Sequence, residues 1–386
     1  MARDKEWYHN AMARCIDKFT EDQQQEMLQF LTFSPKLAKP SAILSMDHVE
    51  RKLELIQSIL QKFKNSTLNR DKNAFGLNNV QLSTFLHMTI PCLEEYNDPV
   101  HIRSYLCMHE LLAFFMNGRM IVSDLFPSFD ISANAFKQMV ANEVPPNMAE
   151  REKCIARDKS TCHLTGATST EVCHIVPIGI NSSEKSILYY GNQFHFITRL
   201  LGDASNEIHN LLLSNPGSLD QDWNMLCLCP HIRSWWKAGY FTLKWHGVTP
   251  QEDMALVALQ FHWMPRNGLN PYAKAQISTS HVNKMLEPIS DAPDRPDATI
   301  ILRRTPQTGQ FFTILMEDSK VDKMKAMVDL QWMMLRVAGM AGVAGAPGRL
   351  DRFDETSQLD EVEETDGADE VGGTVEFSDF VCVSTP

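Results

Sequence analysis

Cys173-His174-Ile175-Val176-Pro177 is the stretch on which the reading of this chain turns. A His inside a short apolar run closed by Pro reads as a strand end that presents an imidazole. The run is answered downstream by Trp223-Asn224-Met225-Leu226-Cys227-Leu228, and then by His231. An Asn heading a second apolar run, followed by a His and a Trp-rich helix, reads as the hairpin partner and the helix that packs on it. The resulting order along the chain is His, Asn, His.

Around this unit the chain has 386 residues, enough for two domains or for one domain with large flanks. Its apolar fraction of 44% supports an ordinary core. The formal net charge is −12, but residues 351–386 hold twelve acids and one base, so that tail carries −11 and the rest of the chain −1. The acidity therefore does not argue against a nucleic-acid partner. The body, equally, has no Lys/Arg stripe of the kind that dominates phosphate binding. Nine cysteines at irregular spacings, with no apolar leader before them, read as thiols of an intracellular, reduced protein. No run approaches the roughly 18 apolar residues that mark a membrane helix.

Residues 1–148 read as mainly helical. Thr20-Glu21-Asp22-Gln23 is a capping box. Ser45 opens a helix whose apolar positions Val49, Leu53, Ile56, Leu60 and Phe63 keep three-to-four spacing. Residues 100–117 form a third helix, ended by Asn117-Gly118. The paired prolines in Glu143-Val144-Pro145-Pro146-Asn147 mark a junction. A short helix at 150–158 and a turn at Thr165-Gly166 follow. Residues 184–213 insert two short helices broken near Gly202-Asp203. Strands are expected at 241–245 and 255–263, and a hairpin from 300–303 and 311–315. An amphipathic helix spans 322–341, before Gly342, Gly345, Pro347 and Gly348 break it. The fold class is α+β: a ββα core with a helical insertion, a mainly helical N-terminal region and a disordered acidic tail. The expected divisions are 1–148, 149–345 and 346–386.

Phosphodiester hydrolysis needs a base to take a proton from water, and positive charge where the phosphorus and leaving oxygen gather negative charge. A strand-borne His serves the first need and a divalent ion the second. An Asn can hold the hairpin closed through bonds to backbone, and a helix laid across it can offer a metal ligand.

These residues resemble the HNH endonuclease superfamily, and within it a fungal HNH nuclease domain family. The resemblance runs through Cys162-His163-Leu164-Thr165-Gly166, Cys173 to Pro177, Trp223 to Leu228, and Trp235-Trp236-Lys237-Ala238-Gly239-Tyr240-Phe241-Thr242-Leu243-Lys244. It extends more weakly to Leu259-Gln260-Phe261-His262-Trp263 and to Leu330-Gln331-Trp332 with Arg336. It implies a ββα-metal hydrolase in which His174 is the general base, Asn224 orients the hairpin and a helix His binds the metal. The implied cofactor is Mg²⁺ or Mn²⁺, with Zn²⁺ as the softer option.

Two positions depart from the pattern. Arg233 stands where the family has its helix His, and His231, two residues earlier, points about 200° away if it is helical. Cys173 precedes the base, where an acid or His often serves as a ligand, and a thiol is a poor ligand for Mg²⁺. His231 and Cys173 are nevertheless the candidate metal ligands. Arg233 and Lys237 are the candidate nucleic-acid contacts, Arg233 either replacing the metal's charge on phosphate or simply being solvated. A structural zinc on Cys162, Cys173, Cys227 and Cys229 competes with buried free thiols; only Cys227 and Cys229 are close, and alternation would put both on one strand face. Three functions stay open: a metal-dependent nuclease, a non-catalytic HNH-like module that binds nucleic acid or protein, and an interaction protein acting through its N-terminal helices and acidic tail.

Overall fold

The computed structural model describes residues 20–21, 36–65, 76–95, 112, 115–116, 145–202, 205–287 and 305–346. Most of the expected 20–23 capping box and 100–117 helix, the 300–303 strand and the acidic tail lie outside the described residues.

The described chain begins with a short strand β1 (Lys36–Leu37), followed by helices α1 (Val49–Asn65), α2 (Asn79–His87) and α3 (Ile90–Glu95). α4 (Met148–Arg157) leads into β2 (Glu171–His174), and α5 (Glu184–Leu201) and α6 (Ser205–Leu212) form the insertion. β3 (Met225–Leu228) and α7 (Pro230–Lys237) complete the ββα unit. β4 (Phe241–Gln251), β5 (Met254–Trp263), α8 (Thr279–Met285), β6 (Gln310–Glu317) and α9 (Val321–Met340) follow.

The helices begin where the sequence provides end donors with partners. At α2, Asn78 and Gln81 satisfy each other's backbone N–H in a capping box. α1 buries Val49, Leu53, Ile56, Leu60 and Phe63, the positions its spacing selects. Gly202 ends α5 in a left-handed conformation that glycine adopts cheaply. α9 is apolar nearly all round, so it sits inside the molecule, against β4 on one side and α2 and α6 on others. Gln331 of α9 accepts from Leu243 N at 3.2 Å and donates to Thr242 Oγ1 at 2.5 Å, so the helix is hydrogen-bonded to β4.

Two sheets result, both antiparallel. The larger runs β1-β6-β5-β4 and the smaller is the β2-β3 pair. β4 is longer than its 241–245 pattern because its outer half, past an irregularity between Trp245 and Gly247, pairs with β5 while exposed. β6 lies between β5 and β1, so its described neighbours come from far along the chain. Residues on both sides of the 148/149 junction share one apolar core, from Leu53, Phe85 and Leu93 to Ile175, Trp235 and Leu335. A small satellite cluster of Cys154, Val172, Met225 and Cys227 lies under the other face of β2-β3. No helix among the described residues is long and apolar enough to cross a membrane.

Candidate active site

β2 and β3 pair in the register Glu171–Leu228, Val172–Cys227, Cys173–Leu226 and His174–Met225. Alternation sends Val172, His174, Met225 and Cys227 to the face under α4, and Glu171, Cys173, Leu226 and Leu228 to the face under α7. His174 is the last residue of its strand, beside the open end of the hairpin.

Asn224 is fully buried and closes that end. Its Oδ1 accepts from Val176 N at 2.9 Å, and its Nδ2 donates to Val176 O at 2.9 Å and to Leu219 O at 3.0 Å. Its backbone carbonyl takes the Ile175 N–H at 2.8 Å. The ladder therefore continues through a side chain for two residues beyond β2, which fixes how His174 is presented. Trp236 Nε1 also donates to the His174 carbonyl at 3.1 Å. Trp235 and Trp236 themselves are buried core residues, packed on Trp263 and Phe241.

His174 Nε2 lies 2.8 Å from Asp220 Oδ1. The second oxygen of Asp220 accepts the backbone N–H of Asn147, the N-cap of α4, at 2.5 Å. Burial alone would raise the Asp220 carboxyl, but the His174 and Asn147 bonds outweigh it and hold it below the usual carboxylate range. Asp220 is thus a carboxylate at neutral pH, placed at a helix start where the dipole favours negative charge. With Nε2 committed to Asp220, Nδ1 is the free ring nitrogen of a side chain that is 17% exposed. The pair spans 46 residues of sequence, and its only forewarning is the acidic cluster Asp220-Gln221-Asp222 before the second strand.

The other candidates are placed as follows. Arg233 is ion-paired with Glu171 across the α7 face of the hairpin. Lys237, one helical turn on, lies on the same side of α7 and is half-buried. His231 is the second residue of α7, inside the helix rather than in the loop before it. Helical geometry therefore turns it about 200° from Arg233. Cys173 is buried, its thiol pushed up to about 12 mainly by that burial, and donates weakly to Glu171 O at 3.7 Å. It is a neutral thiol at physiological pH. Arg151, in the first turns of α4, is close enough to Asp220, Cys173 and Arg233 to act on all of them electrostatically.

The six described cysteines do not gather into one site. Cys229 has left β3 to cap α7 and faces Cys162 and Thr165, whereas Cys227 faces Cys154. The expectation that Cys227 and Cys229 share a strand face fails because the strand ends at Leu228. Cys154, Asp158 and Cys227 do bring three ligand-type atoms together. Arg157 already holds both Asp158 oxygens, at 2.7 and 3.1 Å, and Cys227 N donates to the same carboxylate at 2.8 Å. A guanidinium fills the place where a cation would sit.

Residues 162–244 match the HNH endonuclease family. The match opens at the Cys162 turn, takes in both strands, the insertion and α7, and closes inside β4. No curated protein and no solved structure matches the chain. The HNH segment thus contains the hairpin, the His174–Asp220 pair, Asn224 and α7, while the N-cap that holds Asp220 comes from just outside it.

Proposed function

We propose that this protein is an HNH-type endonuclease that hydrolyses nucleic-acid phosphodiester bonds with His174 as general base. The observation that carries this reading is the His174–Asp220 pair at the strand end of the HNH segment. Asp220 fixes the tautomer: Nε2 keeps its proton toward the carboxylate, and Nδ1 offers a lone pair to water. Water attacks phosphorus, its proton passes to Nδ1, and the bond from phosphorus to the leaving oxygen breaks. Asn224 serves as the orienting residue by locking the backbone of Ile175 and Val176, which follow His174 directly.

HNH domains typically use a divalent ion, here expected to be Mg²⁺ or Mn²⁺, to carry the negative charge of the reacting phosphate. The residues present do not fit that group at the positions the family pattern uses. Cys173 is a buried neutral thiol, position 233 is a cation, and His231 is turned away on the helix. The neighbouring carboxylates Glu171 and Asp220 are already bonded to Arg233 and His174. The charge at phosphorus is therefore assigned to Arg151 of α4, which acts on Asp220, while Arg233 and Lys237, on the α7 side of the hairpin, are assigned to contacts with the substrate backbone.

A plasmid-nicking assay tests this. Supercoiled DNA is incubated with wild type, His174→Ala and Asp220→Asn in Mg²⁺, Mn²⁺, Zn²⁺ and EDTA. Nicking is expected in wild type, is lost in His174→Ala and falls by about 10²–10⁴-fold in Asp220→Asn. Nicking that persists in EDTA supports the arginine assignment, whereas nicking that requires Mg²⁺ or Mn²⁺ returns that role to an ion. A folded wild type that nicks under none of these conditions would sink the nuclease reading.

A further inference from the structure

The two outlying pieces of sequence around His262 and around Trp332 and Arg336 meet at a place remote in the chain from His174. Trp332 of α9 is at its centre. The Arg336 guanidinium lies 4.9 Å from the centre of the Trp332 ring and the Lys244 ammonium 5.7 Å from it. The His262 ring is 4.9 Å away on another side. Lys52 of α1 and His87 of α2 complete the cluster: burial first, and then the charge of Arg336, act on both of them.

Among the described residues, no acid is bonded to the cations of this cluster. Lys52 Nζ donates to the Leu86 carbonyl at 2.7 Å, and Lys244 Nζ to Ser41 Oγ at 2.7 Å. Arg336 donates from one terminal nitrogen to the Ile43 carbonyl at 3.0 Å and from the other to the thioether of Met333 at 3.5 Å. Its Nε–H is buried with no hydrogen-bond partner. Among the described residues none of the three forms an ion pair. The acid that acts on Lys244, Asp329, is bonded to Lys325. Burial takes the two imidazoles down to about 3 and about 4, so His87 and His262 are neutral walls that add no charge. Burial also presses Arg336 down to about 10, which leaves it charged at neutral pH.

Arg336 repels both Lys52 and Lys244, and cations partly buried without an acid are costly, since buried charges are ordinarily paired. An orphaned guanidinium N–H and a second one held only by sulfur are the paired donors that an oxyanion accepts side-on. Lys52, Lys244 and Arg336 are half-buried rather than sealed. We propose that Lys52, Lys244 and Arg336 form a phosphate-binding site, separate from the His174 centre, that takes the phosphate group of a small ligand or of a nucleic-acid backbone. This proposal does not rest on the nuclease reading.

The test is thermal unfolding of the full chain at constant ionic strength, with inorganic phosphate, a nucleoside monophosphate, a short oligonucleotide or acetate added at millimolar concentration. Because a ligand that binds only the folded state raises Tm by mass action, phosphate is expected to raise Tm in wild type and in His174→Ala. The rise is expected to disappear in Arg336→Gln and to shrink in Lys244→Gln, which keeps the test open should the first variant not fold. A rise with phosphate and monophosphate assigns a small ligand, and a rise with the oligonucleotide alone assigns a backbone. Equal rises with acetate and phosphate, no rise with any phosphate compound, or a rise that survives both substitutions would overturn the site.

Discussion

Asp158 shows how an isolated side chain can hold two elements together. Its side chain has no exposed surface, yet it carries a charge because Arg157 grips both oxygens, while Cys227 donates from β3. The same Arg157 donates to the carbonyls of Asp222 and Met225 at 2.8 and 2.7 Å, so one ion pair joins α4 to the start of the second strand. Burial alone would push the Asp158 carboxyl up. The adjacent His163 and the Arg157 fork outweigh it and hold the carboxyl far below its usual range. A carboxyl depressed in the folded state stabilises the fold above its unfolded value, about pH 4, and loses that contribution as pH falls further. Asp158→Asn is expected to cost about 3–5 kcal/mol at neutral pH, by stranding Arg157. Its stability should also fall less steeply than that of wild type below about pH 4. Urea titrations from neutral pH down through pH 4 check both; parallel pH profiles would refute the assignment. Neither this pair nor His174–Asp220 was legible in the sequence. Arg157-Asp158 reads as an ordinary helix end, and Asp220 is joined to His174 only when the insertion folds back.

The elements were more legible, where one face of a segment meets the core. Val49 to Phe63 and the two helices of the insertion follow from apolar spacing, whereas the last long helix, expected to be amphipathic, is buried nearly all round. The hairpin of Cys173 and Cys227 follows from two short apolar runs, the first closed by Pro177 and the second headed by Asn224. What spacing cannot give is the partner of a strand. β6 pairs with β5 and with the two-residue β1, partners that its local pattern does not indicate, while the expected hairpin partner at 300–303 lies outside the described residues. Nor can spacing tell whether a His just before a helix belongs to it, and Pro230 at the first helical position draws His231 in. At this scale Asn224 is the residue that keeps β2 and β3 in register. Replacing it by Ala removes three side-chain bonds and leaves Val176 N–H and two carbonyls without partners in a fully buried place. The expected cost is about 2–4 kcal/mol in the urea midpoint. Hydrogen exchange should speed up first at Ile175 and Val176; unchanged exchange there, with the same global loss, would show that Asn224 does not set the register.

Across the whole molecule, charge is divided unevenly, and this bears on any nucleic-acid substrate. The chain divides into two units after Phe353. The 33 residues after it hold eleven acids and no base, so the chain without them would carry −1 rather than −12. A near-neutral body has no long-range field to draw a polyanion in; it can only hold phosphate locally, at clusters such as Arg151, Arg233 and Lys237. The acidic segment, wherever it lies, adds a repulsive field of the same sign as the substrate. Truncation after Phe353 is therefore expected to tighten oligonucleotide binding at low salt. The gain should fade as the screening length drops from about 30 Å at 0.01 M to about 8 Å at 0.15 M. The slope of log affinity against log salt for the truncated chain should be shallow, about −2 to −3 for two or three phosphate contacts. Fluorescence anisotropy with a labelled oligonucleotide, run on both chains across that salt range, measures both quantities. If the two chains bind alike at 0.01 M, the tail exerts no field on the substrate, and its acids must be neutralised by basic groups of the body itself.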